Sequence, residues 1–284
     1  MPWNSPHTRG LIDLALEEDL GRGDVTSVVS VPAEIGARAQ LVAREPLVVA
    51  ALPLAALVFE RVEPQVRFCG LVAEGDRAEA GTVLASVEGT ARGVLAAERT
   101  ALNFLQRLCG VATQTARFVA AVEGTRAQVT DTRKTTPGYR ALEKYAVRVA
   151  GGRNHRFDLG SGVLIKDNHV AAVGSVAAAV HAARKQAPHG LKIEVEVDTL
   201  AQFDEALEAE ADIVLLDNFT RTDILVAVER RNARGRSVPL LEVSGGVTLA
   251  TVRSFAETGV DLVSVGALTH AARAVDIALD FLPS

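Results

Sequence analysis

The sequence predicts an α/β fold whose larger part is a (β/α) barrel, and three observations carry that prediction. From residue 128 onward, short apolar strands at 128–132, 162–167, 192–198, 212–218, 239–245 and 262–267 alternate with helical stretches, the later ones rich in alanine. Repeated βα units of this size imply parallel strands joined by right-handed crossovers. No Rossmann glycine fingerprint accompanies them, which favours a barrel over a doubly wound sheet. Third, nearly every strand closes on polar residues or glycine: Asp131, Thr132, Arg133 and Lys134; Lys166, Asp167 and Asn168; Glu196 and Asp198; Asp217 and Asn218; Ser244, Gly245 and Gly246; and Gly266. The carboxyl ends of barrel strands ring one mouth, so these dispersed residues would share one pocket.

The elements before the barrel read differently. Residues 8–20 alternate apolar and acidic positions like a short amphipathic helix, stopped by Gly21 and Gly23. Two β-rich stretches follow, 37–49 and 66–87, with a helix opened by Pro53 and running towards Val62 between them. The second stretch resembles the hammerhead hairpins of biotin or lipoyl carriers. A carrier must present a lysine, and none precedes Lys134, so the piece is scaffold. Residues 93–122 are helical, with Leu95, Leu102, Leu105 and Leu108 on one side and Gly110 an expected break. Glu98, Arg99 and Asn103 lie off that stripe.

Composition excludes several classes. A chain of 284 residues with 48% hydrophobic and 23% charged residues suits one large barrel or two ordinary domains. A net charge of -5 argues against generic nucleic-acid binding. Cys69 and Cys109 lack any metal-ligand spacing and are expected to be reduced and buried. The amino terminus lacks a signal-peptide layout, and the longest apolar run, 46–59, is too short to span a bilayer. A cytoplasmic protein is expected.

Within this acidic chain, residues 131–169 carry eight Lys/Arg against four acids. A local basic island focuses anions into a site. Three of the five lysines in the chain, Lys134, Lys144 and Lys166, fall inside it. An ammonium is a compact point charge suited to a phosphate or carboxylate.

Three chemical zones are expected at the mouth. The cationic one holds Arg133, Lys134, His155, Arg156 and Lys166 and suits a substrate with two carboxylates, through charge-assisted hydrogen bonds; His155 reads alternatively as a satisfied core histidine. The acidic one holds Glu196 and Asp217, placed to take Mg²⁺ directly or through water, or sugar hydroxyls. Glu194 and Glu196 share a strand face, so one of the two suits a supporting or structural task. The third zone is Ser244, Gly245 and Gly246 with Val265, Gly266 and Ala267, since glycines in late barrel loops let backbone N–H groups approach a phosphate. A phosphorylated sugar, a divalent metal and a dicarboxylate are the partners implied.

Asp131-Thr132-Arg133-Lys134-Thr135-Thr136-Pro137-Gly138, Asn154-His155-Arg156, Leu164-Ile165-Lys166-Asp167-Asn168-His169, Leu215-Leu216-Asp217-Asn218-Phe219 and Ser244-Gly245-Gly246 closely resemble the quinolinate phosphoribosyltransferases. Glu18 to Asp24 and Glu98 to Asn103 match that family too, so the resemblance covers essentially the whole chain. It implies an N-terminal α/β sandwich (1–110), an incomplete barrel (111–268) and a C-terminal helix (269–284) returning to the first domain. It also implies a homodimer in which Arg99 enters the partner's site. The implied reaction joins quinolinate to phosphoribosyl pyrophosphate with Mg²⁺, giving nicotinate mononucleotide, CO₂ and pyrophosphate in NAD synthesis.

On that reading Arg99, Arg133, His155 and Arg156 clamp the carboxylates, while Lys134 and Lys166 neutralise carboxylate or leaving pyrophosphate. Thr132 lies among them at the strand end. Glu196 and Asp217 hold ribose and metal, and Ser244–Gly246 with Val265–Ala267 hold phosphate. His270, just beyond, would lie near them. Tyr139, Val149, Ala150 and Ser161 depart from the family pattern beside these motifs, where they bear on packing. Two rivals remain open at this point: a Schiff-base aldolase using Lys166 as nucleophile, and a non-catalytic anion-binding barrel.

Overall fold

The computed structural model describes residues 1–235 and 239–283. Its helices are α1 (Pro6–Leu20), α2 (Val25–Ser30), α3 (Leu52–Val62), α4 (Ala91–Ala121), α5 (Arg140–Val149), α6 (Asp167–Val173), α7 (Val176–Gln186), α8 (Leu200–Glu208), α9 (Arg221–Ala233), α10 (Val252–Ala256) and α11 (Ala267–His270). The strands are β1 (Gly36–Ala43), β2 (Leu47–Val48), β3 (Arg67–Gly70), β4 (Arg77–Ala78), β5 (Val83–Thr90), β6 (Gln128–Thr130), β7 (Val163–Ile165), β8 (Ile193–Val197), β9 (Ile213–Asp217), β10 (Leu240–Ser244), β11 (Leu262–Ser264) and β12 (Ile277–Phe281). They divide into two compact units, one of Met1–Ala116, Thr136–Gly151 and Ala272–Ser284, the other of Arg117–Thr135 and Gly152–Ala271.

The first unit is built on an antiparallel sheet of order β12-β1-β5-β3. Leu41, Leu84, Val58, Phe59 and Phe104 are fully buried in its core. Polar groups finish its elements. The amides of Ala51 and Leu52 at the start of α3 donate to the Glu74 carboxylate at 2.6 and 2.9 Å, and the Tyr145 hydroxyl donates to the same group at 2.7 Å. These are donors that a helix start otherwise leaves without partners. Glu143 on α5 accepts from Arg107 at 2.7 Å and from the Thr136 amide at 3.0 Å.

Four expectations change here. Gly110 does not break α4, because its missing side chain admits the main chain of Arg273; an added Cβ would overlap that carbonyl oxygen. The C-terminal segment returns to the first unit as a strand, not as a helix: β12 pairs antiparallel with β1, Leu41 facing Leu279. Ile277, Leu279 and Phe281 supply a period of two, and β1 has a backbone edge to be paired. Cys109 is buried as expected, but Cys69 is exposed because β3 is the outermost strand. Lys144 is buried within α5.

The second unit is a parallel sheet of order β6-β11-β10-β9-β8-β7 among the described residues. β6 and β7 end the series unpaired with each other, so the barrel is incomplete. The β6 edge is continued by a single bridge to Arg153, whose amide donates to Val129 at 2.8 Å and whose carbonyl accepts from Asp131 at 3.0 Å. Alternation sorts the side chains. Val195, Val214, Leu216, Leu241 and Val243 are fully or nearly buried on one face, while Glu194, Glu196, Leu215, Asp217, Glu242 and Ser244 share the other. Register sets Glu196 beside Leu215, Leu215 beside Glu242, and Asp217 beside Ser244. No helix among the described residues is long and apolar enough to cross a membrane.

Candidate active site

A cavity of about 430 Å³ opens at the carboxyl ends of these strands. Thr132, Arg133 and Lys134 after β6, Lys166 after β7, Glu196 on β8, Asp217 on β9 and Ser244 on β10 line it, with His155 and Arg156 from the loop before β7. Leu164, Leu215 and Ser264 complete the wall. Residues from six strands and one loop thus meet in a single unit.

The cations are presented in different ways. Arg133 and Arg156 each hold a buried Nε without a hydrogen-bond partner. Burial, and then the Arg133 charge, push the Arg156 guanidinium below its ordinary range, with Glu194 pulling the other way. Two guanidiniums that repel each other and keep buried donors unmatched are a site for an anion. Arg156 Nη1 donates to the Gly162 carbonyl at 3.3 Å, which fixes its stem. Lys134 is exposed; its amide donates to Thr132 Oγ1 at 3.0 Å and its carbonyl accepts from Thr269 at 2.7 Å. The Lys166 amide donates to His169 Nδ1 at 3.0 Å, and its ammonium pairs with Glu196. That contact occupies the Lys166 nitrogen with a carboxylate, an arrangement that favours anion neutralisation over a Schiff-base nucleophile.

Beneath the cavity lies an acidic layer of Asp131, Glu194 and Glu242. Asp131 is fully buried and accepts from the Asn154 side chain at 2.7 Å and the His155 amide at 2.8 Å. The two nitrogens of His155 are both engaged. Nδ1 accepts the Arg156 amide at 2.7 Å, so the ring proton belongs on Nε2, which lies 3.2 Å from Glu194 and 3.6 Å from Glu242. Besides lining the cavity, His155 thus holds the main-chain amide of its neighbour. These three side chains have the spacing of a metal site, but the Nε2 proton directed between the carboxylates makes them a hydrogen-bonded cluster.

Asp217 and Glu196 each have one oxygen engaged: Asn218 Nδ2 donates to Asp217 Oδ2 at 2.7 Å, and Lys166 holds Glu196 Oε2. A pair of carboxylates held this way fits a hard divalent cation, which takes oxygen ligands.

The glycine zone is more structural than expected. Gly245 has φ +98° and leaves room for the Asn218 side chain, whereas Gly246, at φ +58°, faces open space. Gly266 makes room for His270 and Lys134, which an added Cβ would crowd at 3.1 and 3.2 Å. The Val265 amide donates to Thr130 at 2.9 Å and its side chain is in the core. Gly245, Gly246, Val265, Gly266, Ala267 and His270 do not line the cavity, and neither does Arg99, an exposed residue of α4 in the first unit.

Glu242 and Ser264 were not singled out in the sequence, and Asn218 was read only as a polar residue at a strand end. The signal for Glu242 was present: it stands two residues before Ser244 in an apolar strand, which puts it on the same face. The departures from the family pattern do bear on packing. Tyr139 stacks on Phe104 with ring centroids 5.5 Å apart, and Ser161 Oγ accepts the amides of Phe157 and Asp158 at 2.8 and 3.0 Å.

Comparison with known proteins identifies the family. Residues 24–109 match the family model for the quinolinate phosphoribosyl transferase N-terminal domain, and residues 111–280 match that for the C-terminal domain. The chain belongs to this family. It is 50% identical to the nicotinate-nucleotide pyrophosphorylase [carboxylating] of Mycobacterium leprae over 96% of each chain. It is 40% identical to a probable enzyme of the same name from Bacillus subtilis, over 93% of this chain and 89% of that one. The solved nicotinate-nucleotide pyrophosphorylase of Francisella tularensis superposes with a TM-score of 0.90 at 37% identity, covering 97% and 96% of the two chains. That of Ehrlichia chaffeensis gives 0.90 at 38% identity, covering 96% and 98%.

Proposed function

We propose that this chain is a decarboxylating phosphoribosyltransferase that converts quinolinate and phosphoribosyl pyrophosphate to nicotinate mononucleotide, CO₂ and pyrophosphate, within NAD synthesis. Membership of the family supports the reaction. The observation that carries the site reading is the pair of arginines, Arg133 and Arg156, whose buried Nε donors are unmatched within one cavity.

In this reading the two arginines take the dicarboxylate, and the pyridine nitrogen faces the anomeric carbon of the sugar. Glu196 and Asp217 hold ribose hydroxyls and would hold Mg²⁺, through water in part of its shell, whose charge would offset that of the pyrophosphate.

 Lys134 and Lys166 neutralise the leaving pyrophosphate or a substrate carboxylate, and Ser244 with the loops at Gly246 and Gly266 faces the phosphate. Catalysis then rests on positioning and on electrostatic stabilisation of an oxocarbenium-like transition state, with no covalent nucleophile. Once the ring nitrogen carries the sugar, its positive charge stabilises the electron pair left on the adjacent carbon when the carboxylate departs as CO₂, and a proton from water then takes the vacated position. We place the protein in the cytoplasm as a homodimer in which Arg99 of one protomer enters the partner's cavity.

The test follows nicotinate mononucleotide and labelled CO₂ from quinolinate, phosphoribosyl pyrophosphate and Mg²⁺. Turnover of nicotinate in place of quinolinate would overturn the reading. Within it, Arg156→Ala should weaken quinolinate binding by about 10- to 100-fold, the loss of one or two charge-assisted hydrogen bonds. Phosphoribosyl pyrophosphate binding should change far less, and calorimetry showing equal loss of both would refute the assignment.

A further inference from the structure

Glu242 is a carboxyl group in an expensive place. It is 1% exposed in the middle of β10, and no lysine or arginine pairs with it among the described ion pairs. Its recorded neighbours are the Ser264 hydroxyl, which donates to Oε1, His155 Nε2 at 3.6 Å, and the charges of Glu194 and Asp131. Burial first, and Glu194 second, push it up to about 7, so folding alone would be better served by a leucine there. The position of the group accounts for its presence. His155 stands between the carboxylates and the Arg156 amide, receiving that amide on Nδ1 and directing Nε2 towards Glu194 and Glu242. An imidazole can accept at Nδ1 only while its proton is held at Nε2, and the carboxyl groups below select that tautomer. The ring then fixes the main chain at the residue whose guanidinium faces the cavity.

We propose that Glu242 is a positioning residue for the carboxylate clamp, acting through His155 to hold Arg156 in its binding conformation. The inference rests on the reading that Arg156 takes a substrate carboxylate, and the experiment separates the two. Steady-state kcat and the KM of each substrate are measured for Glu242→Leu, Glu242→Gln, Ser264→Ala, Arg156→Ala and the Glu242→Leu/Arg156→Ala double variant, with nitrogen-15 NMR of the histidines in the wild-type protein. Glu242→Leu should raise the quinolinate KM about tenfold while kcat and the phosphoribosyl pyrophosphate KM stay within about threefold, and Glu242→Gln, which keeps a polar partner for His155, should recover most of the loss. In the Arg156→Ala background the Glu242→Leu effect should vanish, because the group it positions is gone. The NMR spectrum should show His155 with its proton on Nε2.

If Arg156→Ala leaves the quinolinate KM unchanged, the reading of Arg156 fails. If it raises that KM but Glu242→Leu adds its full effect on top, or raises both KM values equally, the positioning role of Glu242 fails. Should Glu242→Leu not fold, Ser264→Ala takes its place with the same expected selectivity at a smaller size, and a His155 proton found on Nδ1 overturns the proposal without any variant.

Discussion

Gly245 and Gly246 stand side by side with positive φ, yet only one of them is pressed by a neighbour. At Gly245 a Cβ would overlap the Asn218 side chain, which orients Asp217; at Gly246 it would meet nothing within 4 Å. Gly246→Ala should therefore cost only backbone strain, about 1 kcal/mol. Gly245→Ala should cost more, lower the melting temperature further, and impair turnover by displacing Asn218 from Asp217. Equal melting temperatures for the two variants would refute this account. The sequence shows that both glycine backbones are permissive, as a phosphate loop requires, but not what occupies the space beside each of them. The same limit applied to His155. Its position between Asn154 and Arg156 was legible, whereas the engagement of both ring nitrogens depends on Glu194 and Glu242 from two other strands.

Elements were read most securely where a period was long. The six parallel strands are recovered because short apolar runs with polar or glycine ends recur at a regular βα spacing, and the long α4 because its leucine stripe repeats over enough residues to exclude the other period. Gly110 and β12 were misread for one shared reason: each is decided by the other's segment. Gly110 lies under the Arg273 carbonyl, and the chain continues from there to β12 against β1. Gly110→Ala, which in an isolated helix would gain about 1 kcal/mol, should instead destabilise this protein. A melting temperature above that of the wild type would count against the close approach. Glu45 pins the same return, accepting Arg273 and, at 2.8 Å, the Asp276 amide. Its carboxyl is held down at about 2, chiefly by the Arg273 hydrogen bond. The stability it adds is present above the ordinary glutamate range and is lost as pH falls from about 4.5 towards 2.

For the molecule as a whole, Glu242 sets a pH dependence of the opposite sign. Its folded-state value near 7 lies above the ordinary 4.5, so its contribution is complete at low pH and is lost as pH rises through that interval. Glu194, His155, Asp131 and Ser264 are the groups that face it. Glu242→Gln should gain on the wild type in melting temperature between pH 5 and pH 8; a difference that is flat or shrinks with pH would contradict the buried-acid account. The proposed homodimer has its own test. Mixing Arg99→Ala and Lys134→Ala subunits, each nearly inactive alone, should restore about a quarter of wild-type activity, since half the dimers are mixed and each mixed dimer has one intact site. No recovery after subunit exchange would remove Arg99 from the partner's cavity. The path of the chain has a final consequence. The first unit takes in α5, encoded between β6 and β7, and β12, encoded after β11. A gene cut near residue 110 would thus part Arg107 from Glu143 and β1 from β12. Exchange of domains between relatives by a single crossover should fail at that point. Recombinants that survive should carry three matched segments, so the two units are inherited as interlocked text and not as separable modules.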